Sequence, residues 1–386
     1  MPGRPRERRY HGEDIERLRE RKEARRNPDK VVAQGLNWGR PVLESGITLI
    51  HHGKLYYRGQ DVLKLAETAS LEHVAGVLWA AEGAELERLF HQPCSLSPRQ
   101  LARLRTRARD PLTLLQMALP LAGDSDPASY DLRPAAVRQT GAHIVRLLTT
   151  IVAGPSQARA HLALQARWAP RRAVVGDAIR MALVVCADHE LNVSAFTARC
   201  AASAGASPYD VVSAAMATLK GRRHGGETER VSALFREIES PKRARSVVAN
   251  RLRRGERVRG FGHPLYPAGD PRAALLMRLA KASGNDAEWR LVRALRKAGS
   301  ELLHELPNLD FGLAALARTY KLPERAPLAL FALGRTVGWI AHAIEQYSTG
   351  ELIRPRARYT GPEPNSLPPT SLQRTRIRKP PSRSPR

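Results

Sequence analysis

Long apolar runs that do not alternate confine most of this chain to helices. Ala135–Ala153, Gly176–Ala187, Val193–Ala204, Tyr209–Leu219 and Pro327–Glu345 all run at helical spacing, whereas a half-buried strand would alternate apolar with polar residues. Hydrophobic residues make up 42% of the sequence but aromatics only 5%. The core must therefore be built from Leu, Ala and Val, a mixture that favours helix over sheet. Asp110-Pro111 and Pro327 add helix starts, with proline at the first position where it is tolerated. Shorter helices are expected over Asp61–Glu67, Leu71–Ala81 and Pro98–Arg109.

One stretch breaks this pattern. Ile47-Thr48-Leu49-Ile50 and Leu55-Tyr56-Tyr57 flank a turn containing Gly53, which predicts a short β-hairpin. The fold class is thus all-α with a small N-terminal hairpin. At 386 residues the chain exceeds what one small core can organise, and two domains are expected.

The formal net charge of +26 selects for anionic partners: phosphate-rich ligands, nucleic acid or acidic metabolites. Residues 1–30 contribute +4 and residues 362–386 contribute +5, so most of the positive charge lies on the body. Cys94, Cys186 and Cys200 are too few, and wrongly spaced, for a disulfide framework or a zinc site. No apolar run approaches the ~20 residues a bilayer requires, and the charged N-terminus lacks a signal-peptide core. The expectation is a cytoplasmic protein with no membrane partner.

Three spaced groups carry chemistry. His224 sits in Lys220-Gly221-Arg222-Arg223-His224-Gly225-Gly226-Glu227, where paired glycines let backbone approach a ligand. His263 follows Gly260-Phe261-Gly262, and Asp310 lies in Pro307-Asn308-Leu309-Asp310-Phe311. A carboxylate with two imidazoles suits proton removal beside a carbonyl. Because an ordinary Asp has a pKa near ~3.9, the enolate must be stabilised as it forms. Arg272, Arg335 and Arg354 are candidate carboxylate clamps, although a surface ion pair accounts for most single arginines. Histidines with arginines also suit a metal or phosphate, but no ligand spacing and no phosphate-binding G-x-x-x-x-G-K-[ST] loop is present.

These segments occur in a recognisable order. Ala187-Asp188-His189-Glu190-Leu191-Asn192-Val193-Ser194-Ala195, the Leu219–Gly226 loop, Gly260-Phe261-Gly262-His263, Asp270-Pro271-Arg272, Pro307–Phe311 and Ile353-Arg354-Pro355 together resemble the citrate synthase family over roughly residues 36–361. The hairpin residues Tyr56-Tyr57-Arg58-Gly59 also resemble that family's N-terminal hairpin.

The resemblance implies a large helical domain, 36–224 with 321–361, and a small domain, 225–320, that closes over a cleft. It implies a homodimer with shared active sites, acting on acetyl-CoA and oxaloacetate to give citrate and CoA. Acetyl-CoA is then a substrate, and no cofactor or metal is implied. Asp310 would be the base, His224 the donor to the thioester oxygen, and His263 the group polarising the ketone. His189, Arg272 and Arg335 would bind the dicarboxylate, with Arg354 supplied by the partner subunit. Methylcitrate synthases use the same set with propionyl-CoA, and that alternative stays open.

The chain departs from the family in two places. Where members carry Gly-Pro-Leu-His-Gly-Gly-Ala-Asn, this chain has Gly221-Arg222-Arg223-His224-Gly225-Gly226-Glu227-Thr228, and Asp110 stands where members carry His. Glu227 is expected to orient His224 or raise its pKa. Residues 1–35 resemble the remnant of a MerR-like DNA-binding module, and 362–386 reads as a disordered basic tail. DNA is a partner only through that N-terminal segment, and the missing helix-turn-helix argues against it. Either the module is degenerate or the chain's true start lies upstream. A DNA-associated metabolite sensor is the competing class, opposed by the intact Asp310.

Overall fold

A computed structural model describes residues 43–362, except positions 82, 92, 93, 95, 109 and 358. The expected N-terminal segment (1–35), and the expected tail beyond its first residue, lie outside the described residues. By its contacts the chain divides into a compact unit ending at Leu352 and a segment starting at Ile353. In that segment the described residues form neither helix nor strand, and the Tyr359 hydroxyl donates to the Pro362 carbonyl at 2.7 Å.

The hairpin is present: β1 (Thr48–His51) pairs antiparallel with β2 (Lys54–Tyr57), and a two-residue β3 (Gln60–Asp61) extends it. His52 and Gly53, the only residues between β1 and β2, both take positive φ, 48° and 72°. That conformation matches the twist of a tight hairpin.

Sixteen α-helices follow among the described residues. They are α1 (Val62–Thr68), α2 (Leu71–Trp79), α3 (Gly83–Leu89), α4 (Pro98–Arg107), α5 (Pro111–Asp124), α6 (Pro134–Ala153), α7 (Ala160–Trp168) and α8 (Ala173–Cys186). Then come α9 (Val193–Ser203), α10 (Pro208–Leu219), α11 (Gly226–Ile238), α12 (Ala244–Arg253), α13 (Pro271–Ala282), α14 (Asp286–Leu303), α15 (Leu309–Tyr320) and α16 (Ala326–Thr349). Caps set several boundaries: Asp61, Ser70, Ser97, Asn192, Ser207 and Asn308 each accept from first-turn backbone N–H groups, satisfying donors a helix start leaves over. Asp110, the departure from the family's His, serves the same purpose by accepting from the Thr113 N–H at 2.9 Å.

The expectation of no near-membrane-length run needs correcting. α16 spans 24 residues and is apolar enough by length and composition to cross a bilayer, but its apolar stretch is wholly buried inside the protein. It forms the axis of the larger of two apolar clusters. The smaller cluster draws on α11, α12, α13, α14 and α15, from Val231 to Ala315. α15 serves both: Leu309, Leu313, Leu316 and Tyr320 face the larger, while Phe311, Ala314 and Ala315 face the smaller. Its spacing of four, three and four residues is the period of one helix face. The site lies where these two faces meet.

Candidate active site

Most of the candidate side chains stand in loops or first turns at helix ends, whereas Arg335 lies within α16. His189 follows α8, within a turn that Glu190 completes at a positive φ of 52°, just before Asn192 caps α9. His224 occupies the loop between α10 and α11. His263 follows Gly260 and Gly262, at φ 92° and 72°. The positive φ at Gly262 is a conformation other residues adopt only under strain. Asp310 opens α15, where its own N–H donates to the Asn308 side chain at 3.1 Å.

The His263 loop and the start of α15 are stitched together by backbone. Gly262 N–H donates to the Leu306 carbonyl at 2.8 Å, and Asn308 N–H donates to the Gly260 carbonyl at 2.9 Å. The Asn308 amide adds a bond to the Gly262 carbonyl at 3.2 Å. His263 and Asp310 are therefore fixed relative to each other through main chain.

The imidazoles crowd together. The His189 and His263 rings lie edge to face with centroids 5.0 Å apart, and His189 Nε2 is 3.0 Å from the Tyr266 hydroxyl. Arg272 sits over the Tyr266 ring, its guanidinium carbon 5.4 Å from the centroid. It is buried, with its Nε and Nη2 donating to both oxygens of Asp270 at 2.9 and 2.8 Å. Asp270 also accepts from the Leu309 N–H at 3.0 Å, which brings Arg272 to the residue preceding Asp310. Arg335, on α16, donates to the Cys186 carbonyl at 2.8 Å and lies 4.9 Å from the centroid of Phe331. The other face of this contact is His224, 5.8 Å from the same ring. Six of the seven predicted residues thus lie in the unit that ends at Leu352. Arg354 lies in the segment from Ile353 and is exposed.

Burial holds all three histidines neutral. It pushes His224 down to about 4, helped by the positive charge of Arg335, and His263 down to about 4, helped by Arg272. His189 falls well below its ordinary range through burial, with Arg272 and Arg335 adding to the effect. Asp310 moves the other way. Burial raises its carboxyl to about 6, against a hydrogen bond from the Thr228 hydroxyl that lowers it, while the negative charge of Glu227 raises it further. These are the desolvation effects expected of acids and bases in a low-dielectric site.

A backbone hydrogen bond assigns the tautomer of His263, and a side-chain network holds His224. His263 Nδ1 accepts from the Leu265 N–H at 3.2 Å, which leaves its proton on Nε2. His224 Nε2 lies 2.8 Å from Ser194 Oγ, which also accepts from the Trp339 indole N–H at 3.1 Å. The serine's single O–H then has two possible takers, His224 Nε2 and Asn192 Oδ1. The Asn192 oxygen already accepts two backbone N–H bonds, from Ser194 and Ala195. The Ser194 hydroxyl reaches that oxygen at 2.8 Å as well, so Ser194 Oγ joins Trp339, Asn192 and His224 in one hydrogen-bonded network.

Glu227 does not do what the sequence suggests. It pairs with Arg259 at 3.1 Å and Arg230 at 3.8 Å, while His224 is held by Ser194 and shifted downward. Ser194, Trp339, Tyr266 and Thr228 were not among the predicted site residues. For Ser194 the signal was present, two residues after a capping Asn in the His189 segment. Trp339 gives no local signal, since only the packing of α16 brings it near. No cluster among the described residues is arranged to hold a metal ion.

A helical protein that gathers neutral histidines, buried arginines and a buried carboxylic acid raised toward neutral pKa carries the groups that acid–base chemistry uses. Comparison with known proteins identifies the family. The sequence model of the citrate synthase C-terminal domain matches residues 35–356. Citrate synthase 2 of Bacillus subtilis is 29% identical over 357 residues, covering 84% of this chain and 95% of the relative. A 2-methylcitrate synthase of Mycobacterium tuberculosis is 33% identical over 347 residues, covering 82% and 87%. The crystal structure of citrate synthase from Thermotoga maritima superposes with a TM-score of 0.73 at 26% identity, covering 88% of this chain and 99% of that one. The chain belongs to the citrate synthase family.

Proposed function

We propose that this protein is a citrate synthase, joining acetyl-CoA to oxaloacetate and hydrolysing the product thioester to citrate and CoA. The Asp310 carboxylate takes a proton from the acetyl methyl group. His224 donates its Nδ1–H to the thioester oxygen, so that a neutral enol forms and the negative charge never stands alone. The enol carbon attacks the ketone carbon of oxaloacetate while the enol O–H proton returns to His224, and the ketone oxygen receives the Nε2 proton of His263. Water then cleaves the thioester, releasing CoA. His189, Arg272 and Arg335 bind the dicarboxylate. Two of the Arg272 donors are already engaged by Asp270, which orients the guanidinium and leaves its remaining edge for substrate. Residues 225–320 act as a smaller lobe closing over the cleft, and a homodimer supplies Arg354 from the partner subunit.

The observation that carries this reading is Asp310, a buried carboxyl raised to about 6 at the first turn of α15. A base poised near the working pH combines ionisation with proton affinity. The test is CoA thiol release from acetyl-CoA plus oxaloacetate by the natural chain and by Asp310→Ala. We expect steady release by the first and background by the second; equal rates would sink the assignment. A second reading, 2-methylcitrate synthesis, is favoured by the 33% identity to the mycobacterial 2-methylcitrate synthase. Substituting propionyl-CoA in the same assay decides between them by the ratio of kcat/KM values.

A further inference from the structure

Two consecutive residues in the first turn of α11 reach both of the other catalytic segments. The Thr228 hydroxyl donates to Asp310. Glu227 pairs with Arg259, which immediately precedes Gly260 in the His263 loop. The Gly260 carbonyl accepts from Asn308, and the Asn308 side chain accepts from the Asp310 N–H. The contacts close a ring: Glu227, Arg259, Gly260, Asn308, Asp310, Thr228 and back to Glu227. His224 sits three residues before the ring's first member and His263 three after Gly260.

We propose that Glu227 is a positioning residue. Through Arg259 it fixes the His263 loop against the helix start that follows His224, and its charge sets the field in which Asp310 works. The proposal rests on the citrate synthase reading for the reaction it serves, but the tie itself does not. The pair is well placed for both effects, since the Glu227 side chain is 14% exposed and Thr228 is buried. Burial raises the Glu227 carboxyl, and Arg259 offsets that rise. Asp310 is faced by Thr228 and Glu227 from α11, by Arg272 and Asp270 from the start of α13, and by the Cys186 thiol at the end of α8. Glu227 is the charged group of that set that reaches the His263 loop from α11, through Arg259.

The experiment compares Glu227→Gln and Arg259→Gln with the natural chain. Both break the tie, so kcat should fall on the order of ten- to a hundredfold, as small misplacements of reacting groups do, with KM for oxaloacetate unchanged. Their pH profiles should part. Glu227→Gln removes a negative charge near Asp310, so the acid limb of kcat/KM moves to lower pH. Arg259→Gln leaves Glu227 less compensated, and the acid limb moves to higher pH. Limbs that stay in place, or move in the same direction, overturn the proposal, because a merely structural pair would lower kcat without splitting them. Unfolding stability of the two single variants and the double variant reads the tie without activity. The two losses should add to less than their sum in the double variant, and strict additivity overturns the tie. If the natural chain releases no CoA, the functional reading fails while this cycle still tests the ring.

Discussion

At the scale of single residues, the site works by deciding which atom holds each proton. In the proposed reaction, burial keeps the Asp310 acid weak and the histidine donors neutral, and individual partners hold the rings. Ser194 is the clearest case: its Oγ accepts from the Trp339 N–H, reaches Asn192 Oδ1 and holds His224 Nε2, and the proposed reaction needs the His224 proton on Nδ1. Replacing Ser194 with Ala frees His224 to carry its proton on Nε2 and turn an acceptor toward the thioester. Loss of a donor aimed at developing charge costs roughly 10²- to 10³-fold in kcat. Ser194→Ala should therefore lose about that much in kcat while binding oxaloacetate as before, and Ser194→Thr, which keeps the hydroxyl, should recover most of it. Steady-state kinetics of the two variants check this, and equal losses in both would contradict a proton held on Nδ1. The exposed Arg222 and Arg223 beside His224 have no comparable partner among the described residues, and nothing in the structure explains their replacement of the family's Pro-Leu.

At the scale of elements, α16 does most of the positioning. Phe331, Arg335, Trp339, His342 and Gln346 recur at intervals of four, four, three and four, which places them on one face. Along that face they meet His224, the Cys186 carbonyl, Ser194, Asp188 and Arg199 in turn. His342 Nδ1 accepts from Arg199 at 3.2 Å, so its Nε2–H points to Asp188, 3.3 Å away. Asp188 is also bonded by the Thr48 hydroxyl of the hairpin at 2.5 Å, and the Tyr57 hydroxyl donates to its carbonyl at 3.0 Å. The residue before His189 is thereby clamped from three elements. Such closeness needs glycine on α16: a Cβ at Gly338 would lie 2.3 Å from the Ala187 carbonyl and 2.5 Å from Asp188 Oδ1. Gly338→Ala should cost about 1–3 kcal/mol, as overpacking does, and should weaken oxaloacetate binding because His189 moves with Asp188. Urea unfolding and KM for oxaloacetate measure the two effects. An unchanged KM with a large stability loss would mean that His189 is held elsewhere.

At the scale of the whole molecule, what the sequence revealed follows from where the information sits. Long helices such as α6, α8 and α16 were legible because their periodicity is local, and the His224, His263 and Asp310 segments because glycine, proline and capping Asn mark helix ends. The helices between Glu227 and Leu306 were masked by charge: α12 and α14 bury one side only and carry arginines on the other, although in α14 Leu291, Val292, Leu295 and Ala298 keep a full helical period. Ser194 and Trp339 were hidden because 145 residues separate partners that only packing joins. The same packing makes stability depend on pH in two opposing ways. His224 and His263 titrate at about 4 in the fold against an ordinary 6.5, and His189 lower still than its usual range. The unfolded chain therefore binds more protons, and stability is lost as pH falls from about 6.5 toward about 4, on the order of 3 kcal/mol from His224 and less from the more exposed His263. Asp310 has the opposite sign. Its folded value of about 6 exceeds the unfolded 3.8, so its protonated form stabilises the fold at low pH and that contribution is lost as pH rises through about 6. Above that pH the ionised carboxyl costs about 2–3 kcal/mol. Asp310→Asn should consequently unfold at a higher temperature than the natural chain near neutral pH, lose that advantage toward about pH 4, and release no CoA. Melting curves of both proteins across that range, paired with the thiol assay, test whether the base is held against the preference of the fold. A variant no more stable than the natural chain at neutral pH would show that Asp310 ionises there without cost.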